Sequence, residues 1–167
     1  MTHMDEPSGI EMRILDARIH TWGLPRYQSE MAAAVDLFAC VEEPLVLEPQ
    51  SPAQLVSSGV ALHIGDPRIA AIVVPRSGLG HRTGLVMGNL VGVVDADYTG
   101  PVMISVWNRN AAGSEPIVIC PGDRIAQMIF VPVLRPRFVV VEEFTRTSAR
   151  GEGGFGSTGR ALPASAP

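Results

Sequence analysis

Apolar residues in this chain come in short runs broken at close intervals by turn-forming residues. The runs predict strands over residues 35–41, 45–47, 54–56, 60–64, 70–74, 85–87, 91–94, 102–107, 117–120, 125–131 and 138–141. Between them stand Gly65-Asp66-Pro67, Thr99-Gly100-Pro101, Asn110-Ala111-Ala112-Gly113 and Pro121-Gly122-Asp123, residues that initiate or tolerate tight turns. Even spacing of this kind predicts an all-β fold, a distorted jelly roll or barrel rather than an alternating α/β one. Helical periodicity is weak, and at most one short helix is expected, a turn or two around residues 77–82. Residues 91–94 and 102–105 are apolar on both strand faces, more than one small sheet can bury, which argues that copies of the chain pack together.

Length and composition narrow this picture without changing it. A chain of 167 residues fits one domain with a real core, and 46% hydrophobic against 18% charged residues excludes wholesale disorder. The net charge of −4 gives no general attraction for nucleic acid or an acidic membrane. All 13 basic residues are arginines. The absence of lysine removes Schiff-base chemistry and the lysine of a Walker loop. Any phosphate must then be met by Arg forks, hydroxyls, backbone N–H groups or a metal. Cys40 and Cys120 sit in apolar runs and read as buried thiols, while His3, His20, His63 and His81 lack the spacing of a zinc site. The N-terminus lacks a basic start followed by an apolar run, and nothing approaches the ~18 apolar residues of a membrane span, so a cytoplasmic setting is expected.

Candidate chemistry concentrates in residues 75–98. Arg76 and Ser77 stand on a Gly-flanked turn after a strand, followed by Asn89, then Asp95 at the end of an apolar run, then Tyr98. An anion cradle, a base-reading amide, a general base and a stacking ring are the parts of a nucleotide-hydrolysing site. Each has an ordinary reading too: a Pro/Gly turn with a solvated Arg, and a hairpin turn over residues 95–100. Period-two alternation places Asp95 and Asp97 on one face and cannot choose between them. Asp36, inside the apolar run 35–41, is a stronger anomaly, because a carboxylate there pairs with an Arg or lies near a metal.

From Arg150 the chain changes character. Gly151, Gly153 and Gly156 spell G-x-G-x-x-G, but only eleven residues follow, so the strand–helix unit of a dinucleotide fold has no room. Five glycines within residues 151–159 predict a flexible tail. An Arg, a Phe and a Ser-Thr pair among them are groups suited to stacking and phosphate binding. The expected division is therefore a β domain over 1–149 and a Gly-rich tail over 150–167.

Five segments taken in order resemble the trimeric deoxyuridine triphosphate nucleotidohydrolases (dUTPases), over nearly the whole chain. They are Ala33-Ala34-Val35-Asp36-Leu37, Pro75-Arg76-Ser77-Gly78-Leu79, Gly88-Asn89 through Gly92 to Tyr98, Pro121-Gly122-Asp123-Arg124-Ile125-Ala126-Gln127-Met128, and Arg150 through Ser157. The run Ile104-Ser105-Val106-Trp107-Asn108-Arg109 resembles the bacterial branch. Ala34 departs from the family's usual glycine.

The resemblance implies hydrolysis of dUTP to dUMP and pyrophosphate with Mg²⁺, which keeps uracil out of DNA and supplies dUMP for thymidylate synthesis. Asp95 would be the general base and Asp36 would reach the metal through water. Arg76, Ser77, Gly78 and Gln127 would hold the phosphates. Asn89 with the backbone near Val93, Val94 and Met103 would read uracil, and Tyr98 would lie under the deoxyribose. Arg150, Phe155, Gly156, Ser157 and Thr158 of the tail would close the site. The family also implies a homotrimer with each site shared between three subunits, and no nucleic-acid or membrane partner.

Two rival readings remain at this point. A deoxycytidine triphosphate deaminase would resemble this chain with a Glu on the strand after residue 100, where residues 102–107 hold none. A non-catalytic nucleotide-binding module on the same scaffold would have no use for Asp95.

Overall fold

The computed structural model describes residues 9–146, with 148 and 151. It is built from strands, as the hydrophobic pattern predicts. Strands β1 (Glu11–Ile14), β4 (Gln54–His63), β8 (Pro101–Asn108) and β6 (Leu85–Met87) form one sheet in the order β1-β4-β8-β6. A second sheet runs β2-β10-β5-β7, from β2 (Val35–Phe38), β10 (Arg124–Pro132), β5 (Ile69–Pro75) and β7 (Gly92–Val94). A two-stranded ribbon joins β3 (Leu45–Leu47) to β9 (Ile117–Ile119). Every pairing is antiparallel.

The core lies where the inward faces of these strands meet. Val102, Ile104 and Val106 of β8 are buried together with Leu37, Val73 and Met128 from the second sheet. Along β8 buried residues alternate with more exposed ones, the period-two signature of a strand with one face in the core. Asn108 is fully buried and both ends of its amide are satisfied: Nδ2 donates to Leu47 O at 2.9 Å and Oδ1 accepts from Asn110 N at 3.0 Å. Leaving either atom unpaired there would cost about 1–3 kcal/mol.

Several elements differ from the sequence reading. The runs 54–56 and 60–64 belong to one ten-residue strand, whose register shifts between Ser57 and Ala61 around Gly59 at φ +75°. An irregularity of this type inserts backbone without ending the strand. The first run stops at Phe38, because Ala39 turns its N–H to Asp123 O at 2.7 Å.

Two short helices are present, not at most one. Besides α2 (Ser77–Arg82), a four-residue turn α1 spans Ile19–Trp22. It starts where Asp16 Oδ1 accepts the Arg18 N–H at 2.9 Å and stops at Gly23, φ +102°. Fully buried Ile19 anchors it. A turn this short has no periodicity to read. Residues 138–141 form no strand: Phe138, Val139 and Val140 are all exposed and have no strand to pair with.

The described residues up to 134 form one compact unit and those from 135 a second. No helix among the described residues is long and apolar enough to cross a membrane.

Candidate active site

The second sheet gathers the phosphate-type residues at one of its ends. Arg76 follows directly on β5 and enters α2, whose first residues are Ser77 and Gly78. Gln127 lies on β10 between Val74 of β5 and Asp36 of β2, and its Nε2 donates to Pro75 O at 3.0 Å. A methyl at Gly78 would meet only the movable guanidinium of Arg82, with Nη2 at 2.9 Å.

Asp36 is the hub of this end. It is only 8% exposed, and each carboxylate oxygen meets a guanidinium: Arg76 Nε at 2.9 Å from Oδ1 and Arg124 Nη1 at 3.0 Å from Oδ2. Arg76 Nη1 also donates to Arg124 O at 3.1 Å. One carboxylate thus fixes two arginines and leaves a net positive charge. A buried carboxylate is tolerated only with such compensation. Between α2, β9 and β10 opens a cavity of about 380 Å³, with Arg76 and Arg124 on its wall above Leu79, Ile117 and Ile125. Arg124 received no role from sequence. The signal was weak, since 88 residues separate it from Asp36.

The nucleoside-type residues fall elsewhere. Asn89 lies in the turn between β6 and β7, and Asp95 follows β7 directly. β7 pairs with β5, while β8 pairs with β4 and β6, so residues 95–100 bridge two sheets instead of closing the expected hairpin. Asp95 and Asp97 are both exposed in this connection, where strand alternation no longer applies. Asp95 O accepts the Tyr98 N–H at 3.2 Å, and the loop is tied down by Gly65 N donating to Ala96 O at 2.9 Å. The Tyr98 hydroxyl donates to Pro101 O at 3.0 Å, folding the ring over Gly100, where a methyl would collide with it. Val94 turns into the core, so only its backbone is offered to a ligand. Val93 is 64% exposed and Leu90 75%, at φ +62°. Met103 is exposed on β8, opposite Ser57.

Register sets the separation of the two ends. Val94 pairs with Ala71, so Asp95 leaves the sheet beside the start of β5, while Arg76 stands past its far end. About six residue steps of strand separate them, roughly 20 Å at ~3.3 Å per residue.

The residues do not form a protein cage for a metal. Asp36 has both oxygens engaged by arginines, and no group of three His, Cys, Asp or Glu suited to an ion occurs among the described residues. Arg150, Phe155, Gly156, Ser157 and Thr158 lie outside the described residues.

An all-β chain with an arginine-carboxylate cluster at one sheet end and an Asp/Tyr loop at the other has the parts of a nucleotide-processing protein. Its sequence matches the dUTPase family model over residues 20–159, and the chain belongs to the dUTPase family, enzymes that hydrolyse dUTP to dUMP and pyrophosphate. It is 49% identical over 161 residues to deoxyuridine 5'-triphosphate nucleotidohydrolase from Coxiella burnetii, covering 96% of this chain and 99% of the relative. The Erwinia tasmaniensis enzyme of the same name is 52% identical, covering 90% of this chain and 97% of its own. Among solved structures, a dUTPase of Staphylococcus bacteriophage 80alpha with dUpNHpp superposes with TM-score 0.74 at 27% identity, covering 90% of this chain and 98% of that one. The dUTPase of phage phi11 of S. aureus, described with a structural Mg(II) ion, gives 0.72 at 26% identity over 83% of this chain and 100% of its own. β8 carries no Glu.

Proposed function

We propose that each catalytic site for dUTP is assembled from several copies of this chain, as a homotrimer. The arginine end of one copy holds the phosphates, and Asp95 of another works on the α-phosphorus. The observation that supports this most is the roughly 20 Å between Asp95 and Arg76 along β5. A general base must stand within hydrogen-bond reach of its water, and that water about 3–3.5 Å from phosphorus, so ends this far apart are better placed to serve two different nucleotides than one. The exposed Leu90, Val91 and Val93 beside Asp95 agree with a surface that a neighbour covers.

In this reading Asp95 takes a proton from water as its oxygen bonds to the α-phosphorus. The bond to the bridging oxygen breaks on the opposite side, and pyrophosphate leaves with dUMP as the other product. Arg76, Ser77, Gly78 and Gln127 bind the phosphate oxygens, and Arg76 arrives already oriented by Asp36. Asn89 and the backbone at Val93, Val94 and Met103 read the base. Tyr98, with its hydroxyl fixed on Pro101 O, forms a wall that a ribose 2′-hydroxyl would strike. Mg²⁺ would come with the substrate and neutralise charge on its phosphates, and Asp36, whose oxygens pair with Arg76 and Arg124, would not bind it directly. The tail from Arg150, with Phe155, Gly156, Ser157 and Thr158, closes the pocket.

The test is complementation. Arg76→Ala and Asp95→Asn are each inactive alone. Dissociated and reassembled as a 1:1 mixture, they regain about a quarter of wild-type pyrophosphate release, the fraction of pockets that draw both intact ends from different copies. Two inactive variants that stay inactive when verified to co-assemble would mean one copy builds the whole site.

A further inference from the structure

We propose that Trp22 is a positioning residue for the arginine end of the site, acting through the turn at residues 121–123. The inference rests on the reading of Arg76 and its partners as phosphate ligands.

The turn has an unusual neighbour. Gly122 takes φ +85°, and a methyl built there would stand 2.9 Å from Trp22 Cε2 and 3.0 Å from Nε1. The indole therefore lies directly on the glycine backbone, closer than any other residue type would allow. Behind it, the Phe38 ring centroid is 6.1 Å away at 39°, and Arg18 Cζ stands 5.2 Å from the indole centroid. Arg18 is itself held by Asp16 at 2.6 Å and by Val41 O at 3.0 Å, so the ring is braced on two sides.

What the ring braces is the junction that sets Asp36 against Arg124. Gly122 N donates to Ala39 O at 2.9 Å and Ala39 N to Asp123 O at 2.7 Å, locking the turn to the end of β2. Asp123 Oδ2 accepts Cys120 N at 2.7 Å within the turn. Arg124 follows immediately and pairs in register with Phe38, two residues from Asp36. The aromatic pair Trp22–Phe38 thus spans the end of β2, through Phe38 itself, and the turn leading into β10, through Gly122. No other described side chain lies so close to Gly122. A side chain acting in this way sets where Arg124, Asp36 and hence Arg76 sit, without touching the nucleotide.

The test compares Trp22→Leu, which keeps an apolar side chain, with Trp22→Phe, which keeps a ring. Trp22→Leu, shown to be folded and assembled, raises KM for dUTP about tenfold with kcat within about twofold, the mark of lost ground-state phosphate binding. Trp22→Phe restores KM to within about threefold of wild type. Gly122→Ala, which pushes the turn off the indole, reproduces the KM rise independently. An unchanged KM in folded Trp22→Leu overturns the proposal, as does a fall in apparent kcat that merely tracks the fraction of folded protein. Arg76→Ala serves as the control. If it leaves affinity for a non-hydrolysable dUTP analogue, measured by calorimetry, unaltered, the phosphate reading itself has failed, whereas a weakened affinity there with an unaltered KM in Trp22→Leu rejects only the role of Trp22.

Discussion

The two ends of the β2-β10-β5-β7 sheet are built in opposite ways. At one end Asp36, Arg76 and Arg124 pair with one another inside a single chain at 2.9 and 3.0 Å, and Gln127 donates to Pro75 O at 3.0 Å. At the other, Asp95 and Tyr98 sit on an exposed connection beside uncovered Leu90, Val91 and Val93. The first end is preorganised before anything binds. The second stays exposed on the chain that carries it. Fixed cations suit a polyanion whose position must not vary. An exposed apolar loop suits a surface whose other half comes from elsewhere.

The sharpest way to separate the ends is through their kinetic signatures. Asp95→Asn, at the exposed end, lowers kcat about 10³-fold while nucleotide affinity measured by calorimetry stays near wild type, since only proton transfer is lost. Near-normal turnover would remove Asp95 from its role. Removing residues 150–167 lowers kcat/KM by about 10² and leaves an assembled protein, read by light scattering beside the rate. An unchanged rate would make those residues a linker.

Asp36→Asn probes the preorganised end. It raises KM about tenfold, because Arg76 and Arg124 lose the carboxylate that orients them. The Mg²⁺ concentration giving half-maximal rate stays the same, and affinity for a non-hydrolysable analogue falls equally with Mg²⁺ or EDTA. A weakening seen only with Mg²⁺ would instead assign Asp36 to the metal.

The smallest effect concerns acid stability of the segment before α1. Hydrogen bonds from Arg18 hold the Asp16 carboxyl down at about 2, against 3.8 for the free group. Its stabilisation is therefore complete above pH 4 and disappears as pH falls through the folded value. The difference in thermal midpoint between wild type and Asp16→Asn should narrow from pH 5 to pH 2, and a constant difference would show that the pair contributes no proton linkage.

Much of this was legible before any coordinates. Strand positions such as 45–47 and 85–87 coincide with their apolar runs, since a buried strand cannot hide its pattern. Other features left no local trace. The turn α1 is too short for periodicity, and the run 138–141 has strand composition but no partner strand. Asp36 could be flagged as a carboxylate among apolar residues, but its pairing with Arg76 and Arg124 depended on residues 40 and 88 positions away.

The sequence by itself determined the all-β class, the absence of lysine chemistry, and the order of the five segments that mark the family. Those properties reside in composition and short-range pattern. Only the tertiary structure decided that Asp36 clamps two arginines, that residues 95–100 cross between sheets, and that Asp95 and Arg76 stand at opposite ends of β5. Antiparallel register alone fixes which residues of distant segments become neighbours, and a shift in that pairing would alter each of these facts without changing a letter of the sequence.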